Sequence, residues 1–254
     1  IPIFIIHIYT HIHSIHDSTH INASIQEIYK KIIYWLTNRC LNKHMAIKRY
    51  SPLDHLLNEV EYAVECIYNK NNIANISQDD IVNLSKNELK ISEKIMRINH
   101  MGEVCAQGLY RGQAAHTKNQ EIKEKLYAIC LEENEHLKLC NLRIRELNGK
   151  QSILNPVWYI SSYVLGSVAA LKDTDWELGF IEETEKQVKE HLEESISQLP
   201  EKDTRSKQFL HKIAMDEEKH RKTVINIGSN EIPAPIKKIM NISSKIMKKL
   251  TSLI

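Results

Sequence analysis

LEENEHL (residues 131–137) places Glu133 three positions before His136. MDEEKHR (residues 215–221) repeats that spacing with Glu217 and His220. None of the other His, thirteen in all, has Glu three positions before it. A further Glu stands about thirty residues upstream of each pair. It is Glu103 before the first; before the second, Glu185 fits, although spacing alone does not separate it from Glu182 or Glu183. Positions i and i+3 share a helix face. Each pair therefore offers a carboxylate oxygen and an imidazole nitrogen to the same point inside a helical bundle. Most helical Glu simply face water, and one such pair would carry little weight. The duplication makes the case: two such helices, plus one Glu from each of two others, form the ligand set of a carboxylate-bridged di-iron or di-manganese centre.

The fold expected is therefore all-α: a ferritin-like four-helix bundle with extra amino-terminal and carboxy-terminal amphipathic helices. Composition agrees. Of 254 residues, 42% are hydrophobic and 26% charged, ordinary for a globular protein. Gly (7) and Pro (6) are scarce, which favours long helices. A net charge of +2 gives no reason to expect a nucleic-acid partner. The five Cys (Cys40, Cys66, Cys105, Cys130, Cys140) form no C-x-x-C pair and read as reduced, buried thiols.

Residues 1–44 look foreign to this pattern. They open IPIFIIHIYTHIHSIH, where His and Thr interrupt an apolar run too polar to span a membrane. No basic segment or A-x-A-like cleavage site marks a signal peptide. His11 and His13 form an H-x-H, a compositional hint of metal binding and no more. The expectation is that the native chain starts at Met45 and that residues 1–44 are a non-native or disordered extension. Residues 45–90 then form a helical segment and linker, 91–229 the bundle, and 230–254 a basic amphipathic helix.

Within the bundle, helices are expected from about Ser92 to Thr117, Asn119 to Leu147, Trp176 to Leu199 and Thr204 to Ile227. Asp173 would cap the third, and Gly228 would end the fourth. Gly102, Ala106 and Gly108 would let a neighbouring backbone approach the first. Asn69–Asn75 reads as a loop, and Ser77 opens a helical turn. Leu154–Leu171 contains no charge. It is slightly short for a membrane span. It is either a buried connection or an apolar wall that meets lipid, with Trp158, Tyr159 and Tyr163 suited to an interface. The tail repeats apolar residues at i, i+3, i+4 from Ile236 to Leu253 and carries Lys237, Lys238, Lys245, Lys248 and Lys249 without an acid. Such a helix docks on a membrane surface or a partner.

RINHMGEVCAQGLYRGQA (residues 97–114), LEENEHL, LNPVWY, GFIEETE followed by His191, DEEKH and IPAPIKKIM occur in that order. Together they resemble the Coq7-type demethoxyubiquinol hydroxylases in their bacterial form, which are ferritin-like di-iron carboxylate proteins. RYSPLDHLL is similar to the start of the bacterial members, and the resemblance covers about residues 45–254. It implies that Glu103, Glu133, His136, Glu185, Glu217 and His220 hold two Fe ions per chain, and it selects Glu185 among its neighbours. It implies a place for His191 in a hydrogen-bond network behind a ligand. Leu192 stands where animal members carry Tyr. The implied reaction is hydroxylation, with O2 as co-substrate, of the ring of a demethoxy-ubiquinol (a polyprenyl methyl-methoxy-benzoquinol) in ubiquinone biosynthesis. The implied partners are that quinol, a membrane surface and other proteins of the pathway, with no nucleic acid. The implied location is peripheral, on the cytoplasmic side of the cell membrane. The competing readings are an iron-oxidising or storage protein and a tRNA hydroxylase. No Gly-rich dinucleotide fingerprint is present.

Overall fold

The computed structural model describes residues 51–68, 84–172 and 174–253. Two compact units are distinguished, Ile1–His55 and Leu56–Ile254. In the first, Ser51 caps a helix start: its hydroxyl accepts from the Asp54 amide at 3.1 Å. The second contains the bundle. The expectations for residues 1–44, for Met45, for the Asn69–Asn75 loop, for Ser77 and for a cap at Asp173 lie outside the described residues.

Seven helices are present among the described residues: α1 (Pro52–Tyr68), α2 (Lys86–His116), α3 (Gln120–Glu146), α4 (Asn155–Ala169), α5 (Thr174–Gln198), α6 (Thr204–Ile227) and α7 (Ala234–Leu253). Helix α2 starts earlier than expected. Ser85 and Glu88 form a capping box, the Ser85 hydroxyl accepting from the Glu88 amide and the Glu88 carboxylate from the Ser85 amide. The S-x-x-E signature was there to be read, and Ser92 lies buried inside the helix. The α3 start is capped by Asn119 and the α6 start by Asp203. Gly228 ends α6 at φ 110°, left-handed backbone that suits glycine.

Helices α2, α3, α5 and α6 form the four-helix bundle; α2 packs along α3, and α5 along α6. Two apolar clusters fill it at either end. One joins Tyr110, Leu126, Phe180, Ile181 and Val224; the other joins Met96, Ile144, Leu192, Leu210 and Ile213. On every one of the four helices, the stretch between these clusters carries one or two of the six predicted ligand residues. Three of the four described Cys are buried and all four are free, as expected of reduced thiols.

Helix α4 lies against α2 at close range. A Cβ on Gly108 would stand 2.5 Å from the Tyr159 carbonyl, and one on Gly112 or Gly166 would overlap the backbone of Tyr163 or Leu109. Gly108 thus serves as expected, Gly112 was overlooked, and Gly102 does not, since a Cβ there meets nothing within 4 Å. Only one face of α4 is buried, through Asn155, Tyr159, Ser162, Gly166 and Ala169. The opposite face exposes Val157, Ile160, Val164 and Val168. The uncharged segment is therefore not a buried connection. It is an apolar surface one helix long.

Helix α7 returns to the bundle. Ile236 and Met240 pack on the first cluster, and the Trp158 indole of α4 donates to the buried Thr251 hydroxyl at 3.1 Å. Ile239, Ile242, Ile246 and Leu250 stay exposed. The tail Lys do meet acids, on other elements: Lys237 pairs with Glu183 and Glu231, and Lys248 lies 3.9 Å from Glu194. Lys238, Lys245 and Lys249 make no ion pair among the described residues. No described helix is long and apolar enough to cross a membrane.

Candidate metal centre

All six predicted ligand residues converge in the middle of the bundle, each at most 4% exposed. They fall into two groups: Glu103, Glu133, His136 and Glu217, and Glu133, Glu185, Glu217 and His220. Within each group the candidate ligand atoms lie within 4.8 Å of one another. Glu133 and Glu217 belong to both. Glu133 turns Oε2 to His136 Nδ1 at 3.0 Å and Oε1 to His220 Nδ1 at 3.4 Å. Glu217 does the converse, with Oε1 3.5 Å from His136 Nδ1 and Oε2 3.5 Å from His220 Nδ1. Glu103 stands at the His136 end (3.9 Å) and Glu185 at the His220 end (3.9 Å). The arrangement is two-fold: two carboxylates common to both halves and one carboxylate and one imidazole particular to each.

Two acids that sequence reasoning missed orient the imidazoles. Asp216 on α6 receives His136 Nε2 at 3.2 Å, and Glu132 on α3 receives His220 Nε2 at 3.2 Å. The carboxylate oxygen accepts in each case, so Nε2 carries a hydrogen and Nδ1 is turned to the centre. Each acid immediately precedes the shared Glu of its own helix and serves the His of the other. The repeat is thus [D/E]-E-x-x-H, a signal present in both quoted stretches. Tyr110, also missed, donates its buried hydroxyl to Glu185 Oε1 at 2.6 Å.

The electrostatics call for cations. Two like charges 4 Å apart repel by about 4 kcal/mol even at an effective dielectric near 20. Four carboxylates in a dry interior cannot all stay ionised on their own. Burial pushes the Glu103 carboxyl well above the usual range, and Glu133 beside it adds to this. Burial does the same to Glu185, with Glu217 adding. Burial would also raise Glu217, but hydrogen bonds from Glu185, His136 and His220 outweigh it and hold that carboxyl low. Burial alone would lower His136; hydrogen bonds to Glu133 and Glu217 instead carry it up to about 12. The same opposition takes His220 up to about 10. Protons here occupy the role that metal ions would take. Glu185 Oε2 is buried without a hydrogen bond, and such an orphan costs about 1–3 kcal/mol. Four carboxylate charges match two divalent cations, and hard oxygen donors with two imidazoles suit iron or manganese. The residues present could hold metal.

A cavity of about 520 Å3 reaches this centre from the side of Glu103. It lies between α2 and α5, with α4 and α7 as its outer wall, and its lining is mostly apolar, including Leu109, Phe180, Ile236 and Met247. Its size falls within the range of small-molecule sites, about 300–1,000 Å3. Polar groups on it include Asn99, Thr184, Gln187 and His191. The structure puts His191 in this wall rather than behind one of the six. Its Nδ1 faces Lys248 Nζ at 3.2 Å and Glu194 at 3.9 Å. Leu165, Val168 and Ile239 line the cavity and are themselves about half exposed, so it opens onto the apolar surface shared by α4 and α7.

A family profile described as "Ubiquinone biosynthesis protein COQ7" matches residues 90–251, well over half of the chain. The chain belongs to the COQ7 family. Among curated members, a protein of Xanthomonas euvesicatoria pv. vesicatoria named 3-demethoxyubiquinol 3-hydroxylase is 41% identical over 204 residues, 78% of this chain and 93% of its own. One of Nitrosomonas eutropha with the same name is 44% identical over 164 residues, 65% of this chain and 79% of its own. The COQ7 match takes in α2 to α7 almost whole, and with them the six converging side chains and the cavity.

Proposed function

We propose that this chain is a 3-demethoxyubiquinol hydroxylase that uses two irons and O2 to hydroxylate a polyprenyl benzoquinol ring in ubiquinone biosynthesis. The observation that carries it is the juxtaposition of the six-residue centre with a mostly apolar cavity ending on Glu103. Glu133 and Glu217, common to both groups, would hold the ions together with Glu103 and His136 at one end and Glu185 and His220 at the other. When bound, the irons would supply redox chemistry that activates dioxygen, relaying to it the two electrons per turnover that come from a quinol or a nicotinamide reductant. The protein's own part is orientation. Asp216 and Glu132 fix the imidazoles, Tyr110 fixes Glu185, and the cavity seats the ring beside Glu103 with water largely excluded.

A polyprenyl tail is longer than the cavity and must leave it. The mouth between α4 and α7 gives onto exposed Val164, Val168, Ile239 and Ile242, and α7 adds Lys238, Lys245 and Lys249 for anionic headgroups. In this reading the enzyme lies on the membrane, at its cytoplasmic side, without spanning it, and the quinol passes from lipid to cavity. Other proteins of the pathway would dock elsewhere on the bundle. An iron store would have the same ligands but no use for the cavity, and an RNA hydroxylase would need a basic approach to it. The test is the quinone profile of a bacterium lacking its own hydroxylase. Expression of the chain should restore ubiquinone and remove the demethoxy precursor, and Glu103→Gln should not. Persistence of the precursor with folded, iron-loaded protein present would overturn the assignment.

A further inference from the structure

A second pocket touches the centre, from the opposite face of the bundle. The bundle is built from the pairs α2/α3 and α5/α6, so its two remaining seams are α2/α5 and α3/α6. The large cavity occupies the first seam. The second pocket, about 140 Å3, lies at the other and is walled by α3, α5 and α6. Its floor is buried and aliphatic: Ile122, Leu126, Ile129, Ile181 and Val224 are each at most 8% exposed. It ends on His220. Its rim carries Lys125, Glu132 and Lys219, and Lys219 lies 3.4 Å from Glu132, the residue that holds His220 Nε2.

We propose that this pocket is the port by which dioxygen reaches the centre, separate from the route of the quinol; this rests on the hydroxylase reading above. Three physical points favour that occupant. An apolar cavity of about 150 Å3 lined by aliphatic and aromatic side chains stays dry and takes up xenon, an atom of dioxygen's size and polarity class. The space is too small for a quinol ring with its tail, and its floor offers nothing to a polar ligand. Finally, a quinol seated against Glu103 fills the α2/α5 seam, so a small reactant arriving afterwards needs another way in. The pocket at His220 is such an opening, and it touches one of the six. The charged rim excludes larger apolar molecules, while an uncharged diatomic passes it.

Xenon-pressurised crystals and oxygen kinetics test the assignment together. Ala128→Phe on α3 and Thr223→Phe on α6 both fill the pocket from exposed helical positions that line it. Xenon should occupy the pocket in the unaltered protein and be expelled by either substitution. Each variant should raise the KM for O2 several-fold, with the KM for quinol and kcat at saturating O2 unchanged. No xenon in the unaltered pocket, or xenon expelled with the KM for O2 unmoved in both variants, overturns the port. Absence of O2 uptake by the unaltered iron-loaded protein supplied with quinol and with NADH as reductant would overturn the hydroxylase reading instead, and the port with it.

Discussion

Glu132 and Asp216 show how much of the chemistry is set one position away from the obvious residues. Each stands beside a shared carboxylate in sequence, yet serves the imidazole of the opposite helix. Loss of such an orienting carboxylate typically costs 10–100-fold in metal affinity. Glu132→Gln should therefore weaken iron binding by about that factor. It should do so without loss of helix content, because Glu132 is nearly half exposed. Competition with a chelator measures it; unchanged affinity would remove the orienting role. Glu133, His136, Glu217 and His220 were legible in sequence because i, i+3 spacing is a property of any helix; Glu103 followed from the repeated upstream offset, and Glu185 was selected among its neighbours by the family resemblance alone. Glu132 and Asp216 were not legible, because Glu135 and Glu218 stand equally close in sequence and turn elsewhere, to Lys138 and to Arg221. Which flanking acid meets the facing helix depends on how two helices cross, and the chain does not write that down locally. His191 illustrates the reverse: a motif named it, but its side chain faces Lys248 of α7 and Glu194 of its own helix.

At the level of elements, α4 is the one whose sequence was most ambiguous. Absence of charge does not distinguish burial on all sides from burial on one. The difference lies in the small residues, since Gly108 and Gly112 on α2 and Gly166 on α4 each admit the facing backbone, which draws α4 tightly onto α2 and leaves its other face outward. That face carries Ile160 at 63% and Val164 at 56% exposed. Ile160→Glu with Val164→Glu should leave thermal stability nearly unchanged, since neither residue packs inside. It should sharply reduce sedimentation with anionic lipid vesicles, because each buried aliphatic side chain contributes about 1.5–3 kcal/mol. Full retention on vesicles would contradict a lipid-facing α4. Helix α7 was readable as basic and amphipathic, but its role as a cavity wall was not, because the surface it covers comes from three other helices.

For the whole molecule, the buried centre couples protonation to stability. An unfolded His releases its proton near pH 6.5, whereas folded His136 and His220 hold theirs up to about 12 and about 10. Above pH 6.5 the metal-free fold thus binds more protons than the unfolded chain. The stabilisation is complete below pH 6.5 and is lost as pH rises toward 10, by about 1.4 kcal/mol per pH unit for each proton held. Glu103 and Glu185, raised as well, act in the same direction. Metal-free protein should therefore show a Tm that falls from pH 6.5 to about 9. Iron-loaded protein should not, since cations then replace the protons. Thermal unfolding with and without chelator decides it; parallel profiles would refute the coupling. The bundle itself was legible from periodicity and caps, whereas this coupling needed the distances between carboxylates.

The order of the chain gives α7 a further consequence. All six centre residues are made before Arg221, whereas the wall of the large cavity includes residues from Ile236 to Lys248. The outer wall of the chamber is thus contributed by a segment that supplies none of the six central side chains. Loss of α7 would unroof the chamber and leave the centre's own side chains in place, so access and centre are separable parts of one chain.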